Sequence, residues 1–379
     1  MTAPWLNAAT QAKRDDVFIA AMVLHKAFLD AAAKPLRHNL GALMQVFGGP
    51  SLPDDAKNAL LPDLWTSLFL VVPVVSTTFA SVERMFGSLP AEALGWLLID
   101  EAGQAVPQAA VGAMMRTRRA VVVGDPVQVE PVVTLPNTLT HAICHDFGVD
   151  PDCFNAPEAS VQTLADAATP FMAEFPGRDG SRTVGVPLLV HRRCAEPMFG
   201  ISNAVAYENL MVQAKAPKAS AIRDLLGPSA WFDVQGPSVG HWCPAEGQFV
   251  LSLLGRLVRA GVAPDLYIVT PFVAVQNGMR ALVEGSGALP PGATDWAKWA
   301  HERVGTVHTV QGREAEAVIF VLGSPDPQQA GARGWAGKAP NLLNVAVTRS
   351  KEALYVVGSR GAWRGAGNFQ VLDQRLPAG

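Results

Sequence analysis

Short apolar runs recur along this chain, separated by stretches of helical character, and that alternation constrains its fold more than any other feature. In the first half the runs are Leu68–Val75, Gly95–Ile99 and Ala120–Val123. In the second half they are Leu188–Val190, Trp231–Val234, Tyr267–Thr270, Val304–His308, Ala317–Leu322 and Leu354–Gly358. Continuous apolar strands, as opposed to alternating ones, are those covered on both faces. Helices are expected at Asp16–Ala33, Ala80–Leu89, Pro107–Met115, Gly247–Ala260 and Ala274–Glu284. Strand–helix alternation of this kind specifies an α/β fold with parallel sheets.

The intervening stretches read differently. Residues 35–63 and 131–184 hold many Pro, Gly and Asp residues and are expected to form short helices and loops. Residues Ser324–Pro340 are rich in Gly, Pro and Gln, and a mobile loop is expected there. No internal repeat or coiled-coil heptad is present.

Length and composition limit the function classes. A chain of 379 residues is long enough for two domains. With 49% hydrophobic and 17% charged residues it can build a sizeable core, which excludes global disorder. The formal charge of −3 means that any groove tracking phosphates is a local patch. No apolar run approaches the ~20 residues needed to span a bilayer, so no membrane partner is expected. Four irregularly spaced cysteines (Cys144, Cys153, Cys194, Cys243) fit a reducing compartment, and a cytoplasmic location is expected. His141, Cys144, His145 and Cys153 lack the second close-spaced pair of a structural zinc site.

Chemistry concentrates at the strand ends. Leu97-Leu98-Ile99 runs into Asp100-Glu101-Ala102-Gly103-Gln104. Adjacent carboxylates at a strand tip suit a nucleoside triphosphatase, one holding Mg²⁺ through its waters and the other orienting the attacking water. The next strand ends in Gly124-Asp125-Pro126-Val127-Gln128. Gly124 permits a tight turn beside a phosphate, and Gln128 is an uncharged partner for a terminal phosphate or its attacking water. Further on come His191-Arg192-Arg193-Cys194 and Asn344-Val345-Ala346-Val347-Thr348-Arg349. Arginine is the side chain fitted to fork-like bonding of phosphate oxygens. Between them, Val304–Ala315 is dense in groups suited to sugar and phosphate: Thr306, His308, Thr309, Gln311, Gly312 and Glu314.

Taken in order, these segments resemble the superfamily-1 helicases, in the branch that includes senataxin. They are Asp100-Glu101-Ala102-Gly103-Gln104, Gly124-Asp125 with Gln128, Arg193 with Asn203 and Tyr207, Thr270-Pro271-Phe272 with Gln276, Thr306-Val307-His308 with Gln311-Gly312-Arg313-Glu314, and Asn344 to Arg349. The resemblance covers about residues 68–360 and implies two RecA-like parallel-sheet domains with ATP between them. The implied layout is a helical lead-in at 1–60, a partial first domain at 61–180, a second domain at 181–365 and a tail at 366–379. Asp100 looks like the Mg²⁺ ligand, Glu101 the catalytic base and Gln128 the γ-phosphate sensor. Arg193 and Arg349 look like two arginine fingers. Gly124, Asp125 and Gly312 line the nucleotide, and Glu314 looks like the ribose contact. Ser76, Thr77 and Thr78, with Thr270, Thr306 and His308, resemble the contacts to single-stranded DNA or RNA. The implied polarity is 5′-to-3′.

Two departures stand out. The family has Gln-Tyr-Arg where this chain has His191-Arg192-Arg193, so the adenine-side aromatic is replaced. More consequential, no G-x-x-x-x-G-K-S/T phosphate loop occurs; the nearest segment, Gly337-Lys338-Ala339, lacks both the first Gly and the Ser/Thr. The first parallel sheet is therefore expected to be incomplete, lacking its phosphate-loop strand. The sequence reads as a C-terminal piece of a longer helicase, a split subunit that takes the loop from an upstream polypeptide, or a truncated gene product, and alone it is expected to bind ATP weakly and hydrolyse it negligibly. The other reading is a catalytically inactive nucleic-acid-binding or regulatory fragment that keeps the fold.

Overall fold

The computed structural model describes residues 7–48, 53–125, 127–128, 130–177, 180–216, 218–286, 295–310 and 312–379. The chain divides into two compact units, Met1–Asp100 with Pro107–Val122, and Glu101–Val106 with Val123–Gly379. Both are built from helices and parallel strands, the α/β class read from the sequence.

The first unit opens with three helices, α1 (Ala8–Ala31), α2 (Ala33–Gly48) and α3 (Asp54–Val71). Asn7 starts α1, its side chain accepting from the Thr10 N–H at 2.8 Å. None of α1's residues is buried, and Phe18 and Leu24 are exposed on it. Then follow α4 (Phe79–Phe86), β1 (Leu97–Ile99), α5 (Pro107–Met115) and β2 (Ala120–Val122). β1 and β2 pair in parallel, Leu98 opposite Val121. A small core of Leu43, Leu61, Leu64, Trp65, Val82, Phe86, Leu89 and Ala113 joins α2, α3, α4 and α5.

Two expectations fail in this unit. Leu68–Val75 is not a strand: α3 runs through Val71, and residues 72–78 form no regular element. The apolar residues Leu61, Leu64, Trp65 and Leu68 recur at i, i+3, i+4 and i+7, one helical face turned to the core. That period outweighs the β propensity of the valines that follow. Residues 35–63, expected to be short helices and loops, belong largely to the long helices α2 and α3.

The second unit begins with a 3₁₀ turn, Ala102–Gln104. Past residue 123 come α6 (Asn137–Asp146), α7 (Pro151–Phe154) and α8 (Val161–Ala168), then an antiparallel hairpin of β3 (Ala173–Gly177) and β4 (Gly180–Val184). The hairpin corrects the helix-and-loop expectation for 131–184. A short parallel pair, β5 (Val190–His191) and β6 (Val212–Gln213), brackets α9 (Met198–Ala206).

The main sheet follows. Its elements are α10 (Ala221–Leu226), β7 (Ala230–Asp233), α11 (Pro244–Arg259), β8 (Leu266–Thr270), α12 (Val273–Glu284), α13 (Trp296–Arg303), β9 (Val304–Thr306), β10 (Ala315–Val321), α14 (Ala330–Lys338), α15 (Pro340–Thr348) and β11 (Ser350–Gly358). Helices α16 (Arg360–Trp363) and α17 (Phe369–Arg375) close the chain. The five strands lie in the order β7-β11-β10-β8-β9, all parallel. Every residue of β8 and nearly every residue of β10 and β11 is buried, as two-sided helical cover requires. Helix α11 turns Val250, Leu253, Leu254 and Leu257 to the core, and α12 turns Val275, Met279 and Val283.

The expected mobile loop at Ser324–Pro340 is instead a 3₁₀ turn at Pro327–Gln329 and helix α14. Buried Arg333 fixes it, Nη1 donating to the carbonyls of Ser324 at 2.7 Å and Asp326 at 2.6 Å. No helix of the described residues is long and apolar enough to cross a membrane.

Candidate active site

Asp100 ends the first of the two segments of the first unit, and Glu101, the next residue, begins a segment of the second. Glu101 adopts a left-handed backbone conformation with φ at 53°, which costs a non-glycine residue about 1–3 kcal/mol. The 3₁₀ turn that follows brings the Gln104 amide to Oε2 of Glu101 at 2.9 Å. Two glycines let this turn meet the end of the next strand. A Cβ on Gly124 would sit 2.7 Å from the Gly103 nitrogen and 2.9 Å from that of Ala102, and a Cβ on Gly103 would sit 2.9 Å from the Asp125 carbonyl oxygen. The room left at 124 is thus filled by backbone. The Ala102 N–H donates to the Val123 carbonyl at 3.0 Å.

From there a polar chain runs through the unit. Oδ1 of Asp125 accepts from the Val127 N–H at 3.0 Å, and Oδ2 accepts from the Gln128 amide at 3.0 Å. The Tyr207 hydroxyl also donates to Oδ2 of Asp125. That hydroxyl accepts from Nδ2 of Asn344 at 3.0 Å, which also donates to the Val127 carbonyl at 3.1 Å. Oδ1 of Asn344 accepts from Ser202 at 2.7 Å. On the other side, Oε1 of Gln128 accepts from Nη2 of Arg349 at 3.3 Å. Gln128, Asp125 and Arg349, picked out separately in the sequence, are therefore one bonded series.

Arg349 caps the C-terminus of α15, where the helix dipole favours a cation. Nε donates to the Val345 carbonyl at 3.2 Å and Nη1 to that of Arg313 at 3.3 Å. Its surface is only 1% exposed. Burial pulls its pKa down, as does the charge of Arg193, while Glu101 is foremost among the charges that raise it. A guanidinium stays protonated through such a shift.

Arg193 is placed differently. Its side chain is 41% exposed and its Nε meets Oε2 of Glu314 at 3.2 Å. Lys351 Nζ meets the other carboxylate oxygen at 2.5 Å. The Lys351 ammonium, with Arg193 and Arg349, holds the Glu314 carboxyl below its usual range. Gly312, two residues earlier, turns at φ 74°. His191 organises the turn that carries Arg193: its Nε2 accepts from the Cys194 N–H at 2.9 Å, which fixes a neutral ring with the proton on Nδ1. Burial first, then the charges of Arg193 and Lys215, lower its pKa in keeping. The ring packs on Phe199 with centroids 5.5 Å apart.

The residues matched to nucleic-acid contacts fall in two places. Ser76, Thr77 and Thr78 are exposed in the first unit just before α4. Thr270 and Thr306 face each other at the C-terminal ends of β8 and β9. Both are buried: Oγ1 of Thr270 accepts from the Phe272 N–H at 3.3 Å, and the Thr306 N–H donates to Gln276 at 3.2 Å. His308 is exposed. Pro126 and Gln311 lie outside the described residues. Tyr207 and Asn344 stand in the motifs read from the sequence without an assigned role, and Lys351 and Ser202 carried no motif signal.

Residues 66–135 and 186–361, together more than half of the chain, match two family models that are each described as an AAA domain. A stretch of 137 residues is 33% identical to the DNA polymerase alpha-associated DNA helicase A of Schizosaccharomyces pombe, covering 36% of this chain and 18% of that protein. The chain belongs to the superfamily-1 helicases. Among solved structures, the PRRSV helicase is 12% identical with a TM-score of 0.33, covering 75% of this chain and 39% of its own. An arterivirus nonstructural protein 10 helicase solved with DNA is 13% identical with a TM-score of 0.33, covering 73% and 43%. The chain spans less than half the length of these helicases.

Proposed function

We propose that this chain supplies the sensor and arginine-finger side of an ATP-dependent helicase or translocase acting on single-stranded DNA or RNA. The observation that carries the reading is the contact between Arg349 and Gln128. A buried guanidinium beside an uncharged amide, with the Glu101 charge near it, is a donor set suited to the oxygens of a terminal phosphate. Bound ATP brings the bond to be cleaved, and Mg²⁺ neutralises charge on its phosphates.

The chain's own residues take these parts. Glu101 accepts the proton of the attacking water. Gln128 positions that water and reports on the phosphate through Asp125. Arg349 and Arg193 stabilise charge on the transferred group, an effect worth roughly 10³–10⁵ in rate where such fingers operate. Asp100 would hold Mg²⁺, Gly312 leaves room for close backbone approach to the nucleotide, Gly124 lets the 101–104 turn pack against the strand end, and Glu314 accepts from the ribose when Arg193 releases it. Ser76, Thr77 and Thr78 in the first unit and His308 in the second are the exposed residues to which the resemblance assigns contact with the strand, travelled 5′-to-3′ as in the senataxin-like branch, whereas Thr270 and Thr306 are buried and support their sheet edge from within. The 379 residues hold no G-x-x-x-x-G-K-S/T segment, so in this reading the cradle for the β- and γ-phosphates comes from outside them, as an upstream polypeptide would supply it. Four cysteines outside disulfides agree with a cytoplasmic setting.

The same absence, with His191 engaged in its own turn, supports a second reading as an inactive nucleic-acid-binding or regulatory module. Hydrolysis measurements separate the two. The purified chain is expected to hydrolyse ATP negligibly, and a polypeptide bearing the phosphate loop restores turnover that Glu101→Gln abolishes. Strong turnover by the chain alone, lost in Glu101→Gln, refutes the need for a partner. Strand binding with no turnover in any combination favours the inactive module.

A further inference from the structure

We propose that Trp335 is a nucleobase-stacking platform at the C-terminal edge of the main sheet. The inference rests on the nucleic-acid reading above and says which chemistry of the strand is recognised there.

Thr270 pairs with Thr306 and Val269 with Phe320, so the ends of β8, β9 and β10 share one edge. The hydroxyl of Thr270 is turned inward to the Phe272 N–H, and Thr306 is buried beside it. Neither offers an outward donor to a sugar or phosphate. What this edge does expose is apolar. Trp335 on α14 is 58% exposed, Val273 following Phe272 is 63% exposed, and Val239 in the turn before α11 is 78% exposed.

The tryptophan stands on a braced aromatic stack. His241 lies nearly parallel on Phe272, centroids 4.4 Å apart and planes at 15°, and Phe272 lies 6.1 Å from Trp335. The segment leading into helix α14 is fastened to this group. Nδ1 of His241 is 2.9 Å from Oγ of Ser324, whose carbonyl accepts from Arg333 at 2.7 Å. The Gln329 amide donates to the Gly240 carbonyl at 2.6 Å. A large aromatic ring held in place with an open surface loses little entropy on meeting a flat ligand. Every nucleobase has such a face, and stacking tolerates any sequence, as movement along a strand requires.

Anisotropy with labelled oligothymidylate, oligouridylate and an abasic deoxyribose-phosphate strand of equal length tests the platform. Wild type, Trp335→Ala and Trp335→Phe are compared, all at one salt concentration. Trp335→Ala is expected to weaken binding to the base-bearing strands by about tenfold or more, with Trp335→Phe restoring most of it. On the abasic strand all three should bind alike. Equal affinity of wild type and Trp335→Ala for the base-bearing strands overturns the platform while leaving the nucleic-acid reading intact. An equal loss on the abasic strand also overturns it, because the effect is then not on bases. No binding of any strand by the wild type overturns both.

Discussion

Arg349 donates through Nη2 to Oε1 of Gln128 at 3.3 Å, joining a residue just before β11 to one in the turn after β2. The other nitrogens of Arg349 are engaged with backbone carbonyls, so its guanidinium is a structural bracket as well as a charge. Arg193 has no such role, being half-exposed and tied to the fold by one ion pair.

The two arginines should therefore separate by stability. Arg349→Ala leaves acceptors on Val345, Arg313 and Gln128 without their donor and is expected to cost about 2 kcal/mol or more. Arg193→Ala is expected to stay within about 1 kcal/mol of wild type, because an exposed ion pair contributes little. Urea midpoints measure both. Equal destabilisation would contradict the bracket assignment.

Tyr207 joins Asp125 to Asn344, and its hydroxyl should couple energetically to the carboxylate. Tyr207→Phe is expected to destabilise by about 1–3 kcal/mol, the range for a hydrogen bond to a charged group. In a double-mutant cycle with Asp125→Asn, the two losses should fall short of additive by at least about 0.5 kcal/mol. Strict additivity would break the chain of contacts at this link.

Gly124→Ala tests the contact between the two turns. Its Cβ would come within 2.7 Å of the Gly103 nitrogen, a backbone atom with no room to yield. A loss of about 1–3 kcal/mol is expected, read as a lowered melting temperature. Unchanged melting would show that the 101–104 turn is not held by this approach.

Glu246 gives the molecule a pH dependence. It is fully buried on α11; Oε2 accepts from the Gly323 N–H at 2.7 Å, and Oε1 has no partner among the described residues. Burial pushes its pKa up to about 8, against roughly 4.3 in an unfolded chain. Between those values the folded state keeps a proton that the unfolded state releases, so stability falls as pH rises. The contribution is whole below about pH 4.3 and gone above about pH 8, a span on the order of a few kcal/mol. Glu246→Gln should flatten this slope in urea titrations from pH 5 to 9. A wild-type profile just as flat would remove Glu246 from the account.

Much of this was legible in the sequence where one segment carries the information alone. The buried strands β8, β10 and β11 are continuous apolar runs, and α5 begins at Pro107 and ends at Met115 as its sequence implies. Leu68–Val75 was not legible, because Leu68 serves a helical face whose other members lie earlier in α3. The Gly-rich stretch around Trp335 reads as a loop until Arg333 is seen to lock its carbonyls. The contacts among Asp125, Tyr207 and Asn344 depend on side chains brought together from distant segments, which no local pattern encodes.

The eight-residue cluster around Trp65 and the large core beneath the five-stranded sheet differ greatly in size, and size sets how each resists denaturation. Heating should take the molecule apart in stages, with the Met1–Asp100 region opening first and the sheet surviving to a higher temperature. Calorimetry would then show two peaks, and a protease added below the upper one would release a resistant core fragment.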